Sequence, residues 1–445
     1  MDFRLKDYIT APIRLIQIGK WMKKAPRIEP DEMEKILVEQ LGELCLYAEK
    51  HVPFYKKWFA AADFDPRLMT DLKYYEKLPL LDKNTVRKNL NEMLSDEAVK
   101  LSAVECKTSG STGTPLRFYL DKNVNSASFL LFYRAWKMCK NWNIFRAQAT
   151  ISGYADGKWK YSRITKILYL SSFQLDDDTV KEFYDLIIKY KVKFLRGYPS
   201  SLYRFAQLLE RHNLKLEFKV MFSGAETLLP YQRKYIESVF NGKVIDHYTH
   251  WERTASICEC MSGNLHAQND YGYHEIVDDK GHSLAEGIGR LVCTGLYNKA
   301  MPLIRYDTRD LAEWSQTQNC GCGSNFPIVK NIIGRIEDVI VTPEGRMIGR
   351  LASSIKNNKN IKLAYIYQPT VEKMIVNICP FKEFNLDDEK ALLEAELRKR
   401  VGNLIGIEFK IIGESEVPYT PAGKVRFVIS EVDKNNQTTK LYQET

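Results

Sequence analysis

A strand, a helix and a second strand follow one another between residues 218 and 248. Residues 218–222 read FKVMF, residues 230–240 read PYQRKYIESVF and residues 243–248 read KVIDHY. The short apolar runs are typical of strands, and the longer segment has amphipathic helical spacing. The run KFLRG at 193–197 also leads into a helix. Strands that alternate with helices predict an α/β fold with a largely parallel sheet.

In such sheets, ligands bind beyond the carboxyl ends of the strands. The turn SGAE at 223–226 occupies such a place. Earlier in the chain, Thr108–Pro115 reads TSGSTGTP, the densest run of small polar residues. Its glycines would let backbone N–H groups approach a phosphate, and its hydroxyls would add donors. No Lys follows in the P-loop position. We interpret the run as a phosphate-binding loop, with a flexible linker as the alternative.

Composition excludes several classes of protein. The chain has 445 residues, of which 44% are hydrophobic and 27% are charged, as in folded soluble proteins and unlike disordered chains. Its formal net charge of +9 is small for this length and is spread along the chain, so we expect no nucleic-acid partner. An apolar run long enough for a transmembrane helix is missing, as is a secretory signal. Nine cysteines without a disulfide pattern predict a reducing, cytoplasmic location.

One N-terminal segment is typical of a basic amphipathic helix. Between residues 13 and 24, isoleucines, a leucine, Trp21 and Met22 alternate with Arg14 and three lysines. Such a helix can lie on a membrane surface. It can equally dock on the protein core. We favour docking, and we expect no membrane contact.

The character of the sequence changes after Gly334 and Arg335. The tail holds short strands and one long helix within 387–405. We therefore predict a large domain at 1–335 and a small α+β domain at 336–445.

Six short motifs are spread along the chain: TSGSTGTP at 108–115, FSGAE at 222–226, YTHWE at 248–252, RYDTRD at 305–310, GRIED at 334–338 and PAGK at 421–424. They resemble the motifs of the adenylate-forming ligase superfamily, in the family's order. FSGAE and GRIED are most similar to the phenylacetate–CoA ligase branch, which includes relatives from capsular polysaccharide gene clusters.

The resemblance implies a large adenylation domain, with mixed and parallel sheets, and a small mobile lid domain. It implies an ATP-dependent carboxylic acid ligase that forms an acyl-adenylate and transfers the acyl group to coenzyme A. Capsule-cluster relatives instead suggest an amine or a sugar hydroxyl as acceptor. A nucleotide-binding pseudoenzyme is a further alternative. The branch also suggests a homodimer.

The resemblance also implies roles for individual residues. Lys424 would bridge the acid and the α-phosphate, and Glu252 would bind Mg²⁺. Asp310 would bind the ribose hydroxyls, and Tyr248 would stack on adenine. The remaining nucleotide-binding residues would be Thr108, Ser109, Gly110, Ser111, Thr112, Gly113, Thr114, Ser223, Gly224, Ala225, Glu226, His247, Thr249 and Arg335.

Two positions depart from the family motifs. Thr249 and Arg309 stand where the family has glycine. Since glycine permits positive φ and close approach of a ligand, either change could reshape the nucleotide pocket.

A second group of residues has the composition of a metal site. Cys260, His266, Cys320 and Cys322 make a mixed sulfur and nitrogen set of the kind that structural Zn²⁺ prefers. Cys258 is an alternative ligand. The alternative to a zinc site is a group of reduced thiols.

Aromatic residues precede the nucleotide motifs. In the resembled branch this region contributes to the acyl pocket, which would place Tyr133, Trp136 and Tyr154 at the acid. A plain core stripe is the alternative for these residues. His247 and His250 could bind the carboxylate of the acid or merely pack.

Overall fold

The computed structural model describes most of the chain. The described residues are 5–108, 116–138, 146–153, 157–163, 165–335, 340–344, 347–348, 351, 360–381, 384–419 and 425–432. They form two compact units, each made of two segments of the chain. The first unit comprises Met1–Trp142 and His247–Ile332, and the second comprises Asn143–Asp246 and Ile333–Thr445.

Helices and strands are numbered here in chain order over the described residues. The helices are α1 (Leu5–Lys24), α2 (Pro30–His51), α3 (Pro53–Ala61), α4 (Leu72–Tyr75), α5 (Lys83–Lys88), α6 (Lys122–Lys137), α7 (Val180–Lys189), α8 (Pro199–Arg211), α9 (Pro230–Phe240) and α10 (Leu386–Val401). The strands are β1 (Val104–Lys107), β2 (Arg117–Leu120), β3 (Gln148–Ser152), β4 (Trp159–Ser162), β5 (Ile167–Ser171), β6 (Phe194–Gly197), β7 (Val220–Gly224), β8 (Lys243–Thr249), β9 (Ser256–Glu259), β10 (Leu265–Ala267), β11 (Gly272–Val277), β12 (Ile288–Gly295), β13 (Tyr306–Trp314), β14 (Ile328–Arg335), β15 (Ile340–Val341), β16 (Met347–Ile348), β17 (Ile361–Thr370), β18 (Lys373–Pro380), β19 (Gly406–Ile411) and β20 (Val428–Ser430).

In the first unit, strands run in the order β11-β12-β13-β14-β10-β9-β8. The pairings β11/β12, β12/β13, β14/β10, β10/β9 and β9/β8 are antiparallel. Strand β8 begins in the second unit and ends in the first. A register shift between Leu291 and Val292 lets β13 bend beside β12. This sheet carries the polar residues that follow β8.

Local sequence sets the helix boundaries in the first unit. Asp82 and Asp121 cap α5 and α6, since each carboxylate accepts a hydrogen bond from a backbone N–H in the first turn. Apolar residues recur at helical spacing over residues 31–60, which predicts a single helix. That prediction is wrong, since the segment forms two helices: Val52 is extended ahead of Pro53, which begins α3.

The first segment of the second unit is the predicted α/β core. Strands β7, β6, β3 and β5 pair in parallel, and β4 adds an antiparallel edge. Helices α7, α8 and α9 alternate with these strands, and their apolar residues, such as Phe183, Phe205 and Phe240, are fully buried. Asn241 ends α9 in the left-handed conformation at φ 51°, as C-terminal caps often do.

The second segment of this unit forms a smaller α+β layer. Strands β19, β18, β17 and β20 make a four-stranded sheet. Helix α10 contributes Leu393, Leu397 and Val401 to the apolar core on this sheet. The alternation of strands and helices thus confirms the predicted α/β class. Among the described helices, none is both long and apolar enough to cross a membrane.

Candidate functional site

An aromatic residue and a carboxylate meet where β8 ends. The Tyr248 hydroxyl donates to Asp310 Oδ2 at 2.6 Å. Burial raises the pKa of Tyr248, and the negative charge of Asp310 raises it further, so the phenol stays protonated. The backbone N–H of Asp310 donates to Thr308 Oγ1 at 3.1 Å. The pair therefore places an aromatic ring beside an oriented carboxylate that can accept hydrogen bonds from vicinal hydroxyls.

Glu252 is a buried carboxylate with partners at both oxygens. His250 Nδ1 lies 3.0 Å from Glu252 Oε2, and the Tyr306 hydroxyl donates to Oε1 at 3.0 Å. Burial alone would raise the pKa of Glu252, but the hydrogen bond and charge of His250 lower it well below its usual range. The carboxylate is thus ionised at neutral pH. Its charge and its further oxygen lone pairs suit a hard cation such as Mg²⁺.

His250 is fixed from both sides. Its Nε2 lies 2.9 Å from Thr254 Oγ1 while its Nδ1 faces Glu252. Sequence reasoning did not pair it with Glu252, although the i, i+2 spacing after a strand was a usable signal. His247 instead packs inward, because its Nε2 lies 2.9 Å from Ser256 Oγ and its ring meets Phe132 edge-on. Of the two histidines, His250 is the one beside the candidate site.

One departure from the family motif keeps the glycine-like backbone. Arg309 has φ 63°, in the left-handed region that glycine adopts without cost. Its N–H donates to Asp307 Oδ1 at 2.8 Å, which holds the turn ahead of Asp310. Thr249 is the last residue of β8 and pairs with Ser256 of β9 in the antiparallel register.

The turn after β7 belongs to the second unit. Ser223 Oγ donates to Asp246 Oδ1 at 2.7 Å, and the Ser200 N–H donates to Glu226 Oε2 at 3.2 Å. Ala225 has φ 67°, so the turn is left-handed without a glycine at that position. Sequence reasoning missed Asp246, which lies two residues before Tyr248 on β8.

Several predicted site residues lie at the edge of the described part of the chain or outside it. The Thr108 N–H donates to the Leu116 carbonyl at 2.9 Å, and Thr108 Oγ1 accepts from the Leu116 N–H at 2.9 Å. The two residues that flank the predicted phosphate-binding segment are therefore hydrogen-bonded to each other. Backbone is described for Arg335, at the end of β14. The predicted residues outside the described part are Ser109, Gly110, Ser111, Thr112, Gly113, Thr114, Tyr154 and Lys424.

Two of the predicted aromatic pocket residues, Tyr133 and Trp136, lie on α6. Trp136 is buried, whereas Tyr133 is half-buried with the Lys137 ammonium 4.7 Å from its ring centre. A stripe with one buried member fits the core interpretation as well as the pocket interpretation. A role for either residue at the acid stays a prediction.

The four predicted metal ligands converge. The ligand atoms of Cys260, His266, Cys320 and Cys322 all lie within 4.8 Å of one another. The Cys260 and Cys320 sulfurs are 3.7 Å apart, and Cys322 Sγ is 3.4 Å from His266 Nε2. Tetrahedral zinc with ordinary bond lengths sets ligand separations of about 3.8 Å for two sulfurs and about 3.6 Å for sulfur and nitrogen. The cluster therefore has the dimensions of a zinc site.

Outer contacts orient the cluster. His266 Nδ1 lies 2.9 Å from the Phe326 carbonyl, to which it must donate, so Nε2 carries the lone pair toward the cysteines. Burial would raise the pKa of Cys320, but hydrogen bonds, first that from Asn264 Nδ2 at 3.1 Å, lower it to about 6. The sulfur is thus favoured as a thiolate. Cys258 is directed to the Glu259 carbonyl at 3.6 Å and does not join the converging set.

A buried ion pair supports this unit and was not predicted as such. Arg305 is 1% exposed, and its guanidinium donates to both oxygens of Glu275, at 2.9 and 3.3 Å. It also donates to the carbonyls of Glu76, Leu78 and Gly281. Because these hydrogen bonds occupy the N–H groups of its guanidinium, Arg305 is a structural residue that anchors the strand leading to Asp310.

The chain is similar to known proteins along most of its length. Residues 340–431 match the family described as the CapK C-terminal domain. The chain is 24% identical to Protein CapK of Staphylococcus aureus, over 91% of this chain and 90% of that protein. It is 23% identical to a phenylacetate-coenzyme A ligase of Pseudomonas putida, over 92% of this chain and 88% of that protein.

Solved structures match in fold. A structure of 2-hydroxyisobutyryl-CoA ligase in the postadenylation state, with 2-HIB-AMP, aligns with a TM-score of 0.75, 16% identity and coverage of 95% of this chain and 94% of that chain. The same ligase with 2-HIB-AMP and CoA in the thioesterification state aligns with a TM-score of 0.61, 17% identity, and the same coverage. The fold is that of the adenylate-forming CoA ligases. In sequence, the chain is similar to CapK and to the phenylacetate–CoA ligases, as its motifs predicted.

Proposed function

We propose that the protein is an AMP-forming ligase that activates a small carboxylic acid with ATP and passes the acyl group to coenzyme A. The supporting observation is the Tyr248–Asp310 pair, found beside the ionised Glu252 in a chain that aligns with phenylacetate–CoA ligases over most of its length. These three residues are the ones to which the resemblance to the family motifs assigns nucleotide or magnesium contacts.

The reaction has two balanced steps. A carboxylate oxygen of the acid attacks the α-phosphorus of ATP, an acyl-adenylate forms and pyrophosphate leaves. The thiol of CoA then attacks the acyl carbonyl, its proton is lost, a thioester forms and AMP leaves. Both steps bring negative charges together, so they need cationic groups and hydrogen-bond donors held in advance at the reacting oxygens.

The chain's own residues supply those groups. Asp310 would accept hydrogen bonds from the ribose hydroxyls, with its carboxylate fixed by the Tyr248 hydroxyl. Glu252 would be one oxygen ligand of the Mg²⁺ that accompanies ATP, and this ion neutralises phosphate charge when bound. Lys424 is proposed as the positive charge at the α-phosphate, since a lysine ammonium is a compact point charge.

The proposal also includes a domain boundary between residues 335 and 336. The large domain, 1–335, would bind ATP and the acid, and the small domain, 336–445, would carry Lys424.

Pyrophosphate release tests this proposal. The assay uses Mg-ATP and a panel of aliphatic, hydroxy and aromatic acids, with wild type compared with Lys424→Ala. We expect acid-dependent release that falls by about 100-fold in the variant, because one preorganised charge contact is lost. ATP binding without release for any acid would contradict the proposal and favour a nucleotide-binding pseudoenzyme.

A second acceptor class is the alternative. The resemblance to capsule-cluster relatives suggests an amine or a sugar hydroxyl in place of CoA, and Protein CapK of Staphylococcus aureus is among the proteins similar to this chain. The same assay separates the two. Release that accelerates with CoA and yields a thioester supports CoA, whereas release unaffected by CoA supports the amine or hydroxyl class.

We also propose that Cys260, His266, Cys320 and Cys322 hold a structural zinc ion. The support is the convergence of their ligand atoms within 4.8 Å of one another and the orientation of His266 by Phe326. With four protein ligands the ion has no open position, so its effect would be on stability and not on the reaction.

A further inference from the structure

Helix α1 is anchored by its inner face. Gly19 approaches α6 so closely that a Cβ there would lie 3.7 Å from Leu130. Met22 is buried, and its carbonyl accepts a hydrogen bond from Arg134 at 3.1 Å. Packing on the protein core therefore accounts for one side of the helix. The other side remains in solvent.

The outer face carries a continuous stripe of a different character. Ile13 is 62% exposed and Ile16 is 59% exposed. The stripe continues through three exposed lysines at steps of three or four residues, which keep them on one side of α1. It ends at the exposed Arg27, in the 3-10 turn Ala25–Arg27 that follows α1. We call this set the α1 stripe, and it comprises Ile13, Ile16, Lys20, Lys23, Lys24 and Arg27.

The charge along this segment is all of one sign. From Tyr8 to Ile28 the sequence has five Lys and Arg residues and no Asp or Glu. The four cations of the stripe line an open cleft of ≈ 380 Å³ together with Ile28 and Glu32. A cleft with four cations and a single acid suits a phosphate-bearing ligand.

We propose that the α1 stripe docks the protein on an anionic lipid bilayer. Ile13 and Ile16 would enter the boundary between headgroups and acyl chains, and the cations would lie against lipid phosphates. A soluble polyanion would use the cations but gain nothing from two exposed isoleucines, whereas a bilayer interface uses both. Because the inner face already holds α1 on the core, docking needs no unfolding.

The expected effects follow from charge and apolar burial. Each basic residue near an anionic surface strengthens partition by about five-fold, so reversing two charges weakens it by at least about 25-fold. Replacing both isoleucines by serine weakens it by about ten-fold or more, because the apolar contribution is lost.

Co-sedimentation with vesicles tests the proposal on the full chain. The probes are vesicles of phosphatidylcholine alone and vesicles that also contain phosphatidylglycerol. Wild type is compared with Lys23→Glu/Lys24→Glu and Ile13→Ser/Ile16→Ser. Lys56→Glu/Lys88→Glu is the control, since both lysines are exposed in the same unit and the net charge change is identical.

We expect wild type to bind only the anionic vesicles, both stripe variants to lose binding, and the control to bind like wild type. Lys20→Gln/Arg27→Gln provides a second charge variant if the first fails to fold by thermal melting. Three results would overturn the proposal. They are absence of binding by wild type, equal loss in the control, and unchanged binding by the isoleucine variant together with competition by duplex DNA, which would indicate a polyanion site.

Discussion

The Cys/His cluster and the polar residues after β8 lie in the same unit but differ in how their side chains are satisfied. Around β8, the Tyr248 hydroxyl donates to Asp310 and the Tyr306 hydroxyl donates to Glu252. These hydrogen bonds form without a bound ion. In the cluster, three thiols and one imidazole converge within 4.8 Å of one another, and neutral thiols gain little from such convergence. Under the proposed function the first arrangement meets a transient substrate, whereas the second is typical of a permanent ion.

The largest expected effect breaks the cluster. Cys320→Ser should reduce zinc content from about one ion per chain to a small fraction and lower the free energy of unfolding by about 3 kcal/mol or more, because binding energy to the native state is lost. Elemental analysis and denaturant unfolding measure both. Cys258→Ser is the matched control and should retain zinc, since its sulfur faces the Glu259 carbonyl. Zinc below about half an ion per wild-type chain would remove the contrast.

The next effect concerns the polar pair. Asp310→Asn should lower acid-dependent pyrophosphate release by about 100-fold, because charge-assisted hydrogen bonds contribute about 1.5–3 kcal/mol. Tyr248→Phe keeps the ring and should cost about ten-fold, since only the orienting hydroxyl is lost. Melting temperatures of both variants control for folding. Release that is equal in wild type and Asp310→Asn would assign the pair a purely structural role.

A pH effect sharpens the description of this sheet. Burial lowers the pKa of His274 to about 3 from 6.5, and the Ser256 N–H donates to its Nε2 at 3.2 Å. The folded state therefore favours the neutral form of the His274 ring. A depressed pKa means that stability present above the unfolded value is lost as pH falls. Between pH 7.5 and pH 5, wild type should lose about 2 kcal/mol more than His274→Gln in denaturant unfolding.

The exposed turn residue His282 provides the control for that measurement. His282→Gln should retain the pH dependence of wild type, because its side chain is 59% exposed and lies outside the buried network. A wild-type curve parallel to that of His274→Gln would show that His274 takes up its proton in the folded state.

The smallest effect concerns the turn ahead of Asp310. Arg309→Gly should have a free energy of unfolding about 0.5 kcal/mol higher than Arg309→Ala, because relief of the left-handed strain exceeds the entropy of the glycine. Both variants remove the arginine side chain, so the alanine variant is the matched comparison in denaturant unfolding. Equal stability of the two variants would contradict strain at this position.

Much of the fold was predictable because its signals are local. The segment at 230–240 forms a helix over those residues. Asp82 caps α5, as expected for an aspartate directly before a helix. The break between α2 and α3 was missed, because apolar spacing continues through Val52 and Pro53 although the backbone does not. Apolar spacing shows which face is buried, whereas the proline decides where the hydrogen-bond ladder stops.

The candidate site was predictable only in part. Motif residues such as Tyr248 and Asp310 could be named from sequence, but their hydrogen bond joins residues 62 positions apart. The contact between His250 and Glu252 is local, and its i, i+2 spacing was a usable signal. The left-handed φ of Arg309 is unexpected for an arginine, and it falls where the register between β12 and β13 shifts. Pairing between distant segments of the chain thus decides the Asp310 contact and the Arg309 backbone.

The most direct test of the central claim is exchange of labelled pyrophosphate into ATP, across the panel of acids and without an acceptor. Exchange requires that an acyl-adenylate forms and reverses on the protein, so it isolates the first step from the identity of the acceptor. The account predicts exchange that depends on one class of acid and is lost in Asp310→Asn. Exchange that is absent for every acid, from a protein shown to bind ATP, would contradict it.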